Sequence, residues 1–447
     1  MRYRNAGRMQ FELKGSRNAG FATFLILSVI TAVSVMDVLA VRILGLLGSQ
    51  YSMIISILVF IAFFTIFEII LIKLLKLIAS FESIRKYNSK TFDLLFRVLL
   101  ISPFASSIII ALILFQMIEG AEYHKVLIPI ATIASFVPAI LILSLLLIKF
   151  VRWFTVNHDY MMLAYTLAIG AISFNLIILI LNLPTNLFDY SSVREALKVQ
   201  DIIINEGIPT RHFVGIYTYS SFLSFVLIWM ATSILLRNYS QKVGKFVYLL
   251  LVLIPLIYFL VQYPQIFDYL FSSVKEYDPK LYVRLVSIIF GLSKTAGGIF
   301  FAIGFWVIAR SINNKQIRNY LLISGYGILL LFVSTQANSV IISPYPPFGI
   351  VAISTVVLAS LLTFVGLYFT ALSISKENRV RVEIDRRVTQ LAFIKKMGAA
   401  QMEMDLYKQV LPILDKTSNV EDDVPTSLEE EDIKLFVREA LKALKKP

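Results

Sequence analysis

Runs of about 20 apolar residues alternate with short polar stretches from residue 20 to residue 373. Ten such runs stand out, near residues 20–41, 51–72, 95–118, 126–148, 160–182, 215–236, 246–262, 285–309, 319–335 and 348–373. Each has about the length an α-helix needs to cross a hydrocarbon core roughly 30 Å thick. Lipid offers the backbone no hydrogen-bond partner, so the runs are expected to be helices, and their unbroken apolar character does not fit the alternation of a membrane barrel. The pattern therefore predicts an all-α, polytopic transmembrane bundle of about ten spans. After the last run the period changes. Val380, Ile384, Val388, Leu391, Ile394, Met402, Leu406 and Val410 recur at helical spacing with charges between them, which predicts an amphipathic helix.

These boundaries divide the chain into a basic N-terminus (1–19), the ten-span domain (20–373), a cytoplasmic amphipathic helix (374–414), and an acidic linker with a short terminal helix (415–447). Within the tail, Ser427 and Glu430 have the spacing of a capping box. No Gly or Pro separates Gly366 from Met397, so the last span is expected to run unbroken into the cytoplasm as one rod. The two longest external loops are 183–214 and 263–284. The second, with Tyr269, Lys275, Glu276 and Tyr277, has the composition of a helix lying at the interface.

Composition agrees with a membrane solvent: 57% of the 447 residues are hydrophobic, against about 45–50% in soluble domains, and the mean hydropathy is +0.76. The net charge of +13 first suggests nucleic acid. Its distribution removes that reading, because residues 374–447 carry 14 Lys+Arg and 14 Asp+Glu. The excess lies in the membrane part, where 19 Lys+Arg fall on one side and 8 on the other. This is the positive-inside asymmetry, which places both termini in the cytoplasm of a plasma-membrane protein. Lipid is thus the expected partner of the spans, and residues 375–411 are the expected surface for a cytoplasmic protein.

Candidate chemistry is sparse. The chain has no cysteine, which excludes disulfides and thiolate metal sites. His124, His158 and His212 fall on loops of both sides and cannot share a metal. No zinc-peptidase, nucleophile-elbow or phosphate-loop motif occurs, so the expectation is a protein without catalytic residues, cofactor or metal. Lys294 is the sharpest single position. It lies about ten residues inside the eighth run, beside Ser293 and Thr295, where a cation costs roughly 2.5–3.5 kcal/mol on insertion scales and should face the bundle interior. Asp37, in the outer part of the first run, is the nearest acid by depth, and the pair is the leading candidate for an intramembrane ligand or ion site. Glu68, Asn175 and Gln116 are weaker candidates. Lys73 and Lys76 stand near Glu68 on its own helix, and interhelical hydrogen bonds suffice for Asn175, Gln116, Gln336 and Asn338.

One region adds a likeness. Ser343-Pro344-Tyr345-Pro346-Pro347-Phe348-Gly349, Gly366-Leu367-Tyr368, Ala371-Leu372-Ser373-Ile374-Ser375 and Met397-Gly398-Ala399-Ala400-Gln401-Met402-Glu403 resemble an uncharacterised family of archaeal multi-spanning membrane proteins. The resemblance implies an archaeal plasma membrane and carries no functional residues with it. Three classes of function stay open: a membrane sensor or binding protein whose tail engages a partner, a secondary transporter or channel using Lys294 and Asp37, and a structural subunit of a membrane complex.

Overall fold

The computed structural model describes residues 24–40, 50–79, 90–120, 123–124, 126–187, 212–237, 244–261, 266, 269–336, 347–376 and 392–418. The basic N-terminus, most of the loop 183–214, the acidic linker and the terminal helix lie outside them. Among the described residues the secondary structure is helical, with no strand. In chain order the helices are α1 (Phe24–Ala40), α2 (Gln50–Ala79), α3 (Lys90–Gly120), α4 (Leu127–Asn157), α5 (Tyr160–Leu187), α6 (His212–Arg237), α7 (Lys245–Val261), α8 (Ser272–Tyr277), α9 (Pro279–Arg310), α10 (Lys315–Gln336), α11 (Ile350–Ser354), α12 (Val356–Lys376) and α13 (Ala392–Ser418).

Every predicted apolar run falls on one of these helices. Six segments are long and apolar enough to cross a membrane: Ile101–Glu119, Leu127–Asn157, Tyr160–Leu181, Tyr219–Arg237, Lys315–Gln336 and Ile350–Ser375. The chain is accordingly a helical membrane protein. Among the described residues these six of the ten expected runs meet that criterion. The described parts of α1 and α7 are also apolar, 17 residues each.

The last span is the hub. Of residues 350–375, all but Tyr368 are buried, although in a membrane bundle many apolar side chains are free to face lipid. Helices α3, α4, α10 and α13 all pack on α12. Small residues let the backbones approach: a methyl group added at Gly327 would lie 2.5 Å from the Thr363 backbone nitrogen, and one at Gly366 would meet Ser324 and lie 2.6 Å from the Tyr320 carbonyl oxygen. On the next interface, Gly298 of α9 lies under Leu329 and Phe332 of α10, and Gly297 under the ring of Phe225 on α6.

The tail departs from the expected rod. The described part of α12 reaches Lys376, and α13, described from Ala392, lies back against the bundle. A β-carbon at Gly398 would collide with Ile374, and it would come within 3.7 Å of the Ala371 carbonyl oxygen. In one continuous helix, residues 374 and 398 would stand about 36 Å apart, so the two segments are separate and folded together. The physical reason is the apolar face of α13. Phe393, Ile394, Met397 and Ala400 are buried, and docking removes them from water where an extended rod would leave them exposed. The helix also continues past Pro412 to Ser418. In the stretch 263–284, the described residues include the six-residue α8, with Tyr277 almost fully exposed.

Candidate functional site

Two polar sites flank the C-terminal turn of α10, one on each side. The first is built around Lys294. Helices α5, α6, α9 and α10 enclose a small recess lined by Ile172, Asn175, Ser221, Ser224, Phe225, Lys294, Leu331, Phe332 and Thr335. The space open to the centre of a water molecule is about 10 Å³, room for about one water. Its polar residues sit on helices whose other faces are apolar, and each is fixed by a local bond. Ser220 donates its hydroxyl to Asn175 Oδ1 at 2.7 Å, joining α6 to α5. Ser224 and Thr335 donate to the carbonyls of Ser221 and Phe332, at 2.9 and 3.1 Å. The Lys294 backbone N–H donates to Gln336 Oε1 at 3.0 Å, tying the end of α10 to the middle of α9. Aromatic rings close the wall: Phe225 stacks on Phe259 with centroids 3.6 Å apart, and Phe332 packs against Phe301 at 4.8 Å.

The second site is Asp37. Its residue is fully buried, and Oδ2 accepts the backbone N–H of Ala352 at 2.9 Å. The carboxylate thereby holds the first turn of the last span, next to the left-handed Gly349 that opens it (φ 91°). Oδ1 and the Ser34 hydroxyl one turn earlier on α1 are both buried without a hydrogen-bond partner. Between the sites runs a short polar link: the Ser334 and Thr355 hydroxyls are hydrogen-bonded at 2.6 Å, and Thr355 Oγ1 also donates to the Ala352 carbonyl.

The structure gives the two leading candidates, Lys294 and Asp37, different surroundings. Both are buried at neighbouring positions of the bundle, but Asp37 engages the backbone of the last span while Lys294 lines the recess on the other flank of α10. Sequence depth alone places Asp37 in the outer part of its run and Lys294 about ten residues inside its own. It does not tell which face of α10 each approaches. Of the weaker candidates, Asn175 belongs to the Lys294 recess. Glu68 accepts from Ser107 of α3, a partner on another helix in place of the lysines on its own. Gln116 Oε1 accepts the His124 backbone N–H at 2.8 Å and fastens the turn after α3.

A third cluster, absent from the sequence reading, holds α13 in place. Lys396 Nζ lies 2.9 Å from Asp159 Oδ1, Trp153 Nε1 donates to Gln401 Oε1 at 3.1 Å, and Asn157 Nδ2 donates to the Lys396 carbonyl at 2.7 Å. Tyr165 stacks on Phe393 with centroids 4.9 Å apart. The available signal was Asp159, an acid in the two-residue connection between α4 and α5 at the mouth of the bundle. Its partner lies more than 200 residues away and has no local mark. Among the described residues, no group of three or more His, Asp or Glu is placed to hold a metal ion.

No protein-family model, curated protein or solved structure matches this chain. The class defined by fold and site is that of a helical membrane protein with a buried polar recess and a tail helix docked on its last span.

Proposed function

We propose that this protein is a non-enzymatic membrane sensor or signal relay, with ten spans, both termini in the cytoplasm and a cytoplasmic protein partner reached through residues 375–411. It works at the plasma membrane, and the resemblance of residues 343–403 is the ground for an archaeal one. The observation that carries the reading is the docking of α13 on the base of α12, through Gly398 against Ile374 and through the Lys396–Asp159 ion pair. The opposite end of the same span is held by Asp37. A change at the outer end of α11 and α12 therefore has a packed, continuous route to the tail helix. In support of ten spans, α2 and α9 have 30 and 32 residues, about 45 Å or more of helix, and the described parts of α1 and α7 are apolar helices.

Amide hydrogen exchange on the full chain in nanodiscs tests the relay. Asp37→Leu, which unfastens the outer end, is expected to change protection in residues 392–406 at the inner end. Identical protection in the two proteins defeats the reading. The Lys294 recess favours a second reading, transport. It is supported if proteoliposomes show an ion or solute flux that Lys294→Gln abolishes.

A further inference from the structure

Asp37 has a second oxygen that the packing leaves unanswered. Oδ2 accepts the Ala352 N–H, and the N–H groups of Gly349 and Val351 also face the carboxylate. Oδ1 is buried without a hydrogen-bond partner, and so is the Ser34 hydroxyl one turn earlier on the same helix. Folded interiors seldom leave such atoms unpaired, and each one asks for an explanation. Among the described residues no charged side chain supplies it. Helix α11 and the first two turns of α4 and α12 have no titratable group. On α3 the one at this end is Glu119, which is exposed, on α2 the nearest is Glu68, bonded to Ser107, and on α10 it is Tyr326, bonded to Ser28. Lys294 of α9 lines the recess on the other flank of α10. Two opposed effects therefore meet on this carboxyl group. Burial penalises its charged form, and the amide donors at the start of α11 favour it.

We infer that Asp37 is a reversible proton-binding site: one proton taken up on Oδ1 neutralises the carboxylate and loosens its hold on the first turn of α11, and loss of the proton restores that hold. The loosening follows because a hydrogen bond to an ionised acceptor is about twice as strong as one to a neutral acceptor. A metal ion fits this position poorly. A hard divalent cation takes about six or more oxygen ligands, whereas the groups arrayed on this carboxylate are N–H donors that turn their positive ends toward it. A proton needs Oδ1 alone. On the relay proposal, on which this last step rests, the proton is the signal that α13 reports. The proton site itself needs no movement of α13.

The test follows one carboxyl carbon. The full chain, isotope-labelled at the aspartate side-chain carboxyl, is placed in nanodiscs of zwitterionic lipid and titrated from acid to alkaline pH by solid-state NMR. Asp37→Asn identifies the Asp37 resonance by its disappearance. The resonance is expected to pass from the carboxylic-acid to the carboxylate position. Amide exchange in residues 350–354 is read alongside, with the wild-type protein and Asp37→Asn compared at the same pH so that the intrinsic pH dependence of exchange cancels. Wild-type protection should exceed that of the variant about fivefold at the alkaline end and match it at the acid end. If Asp37→Asn does not fold, Asp37→Glu identifies the resonance in its place, and the resonance alone decides. A resonance that keeps one form throughout overturns the site, and so does a protection ratio that does not change with pH. A carboxyl that titrates, with residues 350–354 following it and residues 392–406 indifferent, upholds the proton site and defeats the relay reading alone.

Discussion

Asp37 is kept inside an apolar span by a backbone donor. The Ala352 N–H belongs to the first turn of a helix, where such groups have no partner within the helix itself, and Oδ2 supplies one at 2.9 Å. Removing the acceptor leaves that N–H buried and unmet, at a cost of about 1–3 kcal/mol. Asp37→Leu should therefore lower stability by that amount, while Asp37→Asn, which keeps an acceptor oxygen, should lose less. Thermal unfolding in detergent distinguishes the two, and equal losses would show that the hydrogen bond is immaterial. A steric counterpart is Gly297. Its added β-carbon would fall within the Phe225 ring, so Gly297→Ala should cost about 1–3 kcal/mol by overpacking. A variant as stable as the wild type would contradict the close approach of α6 and α9. At this scale the sequence exposed which residues were unusual: a lysine, an aspartate and an asparagine within apolar runs. Their partners were hidden, because Ala352 N–H and Ser220 carry no mark that distinguishes them from many other amides and hydroxyls.

Helices were legible wherever an apolar run was long, and every predicted run falls on a helix. The relation between α12 and α13 was not legible. The absence of Gly and Pro between Gly366 and Met397 allows a continuous helix but does not require one. What decides is the buried face of Phe393, Ile394, Met397 and Ala400, which has a better place against α12 and α5 than in solvent. Periodicity showed that α13 was amphipathic without showing that its apolar face would be satisfied by the same chain. The ionic part of this docking is minor: the Lys396 side chain is 45% exposed, so its bond to Asp159 is worth about 1 kcal/mol or less. Lys396→Ala should leave α13 docked and resistant to limited proteolysis. Gly398→Leu, which drives a side chain into Ile374, should release it and expose cleavage sites within 392–418. If the lysine variant released the helix and the leucine variant did not, the docking would be electrostatic and not a matter of packing.

For the whole molecule, orientation is the property most directly tied to charge pattern. With 19 Lys+Arg assigned to one side and 8 to the other, the loop after α9 is expected inside and the stretch around α8 outside. The absence of native cysteine makes this simple to test. In intact cells a membrane-impermeant maleimide should label Tyr277→Cys and should label Asn313→Cys only after the membrane is opened. The reverse pattern would invert the assigned topology. Apolar runs and sided charge specify which segments enter the membrane and in which direction. They do not specify which helix occupies the middle, since α12 is no more apolar than α4: both have a mean hydropathy near 2.4–2.5 over their spans.

That middle place bears on how the protein is made. The described spans leave the ribosome in chain order, and the segment 350–375, which every neighbour needs as its packing partner, is the last of them. Until it arrives, the earlier helices have only one another and lipid, with Gly327, Ser324 and Ser334 turned toward a space that is not yet filled. Assembly is thus completed from the centre, and a nascent chain that has not yet reached Phe348 lacks the packing partner shared by α3, α4 and α10.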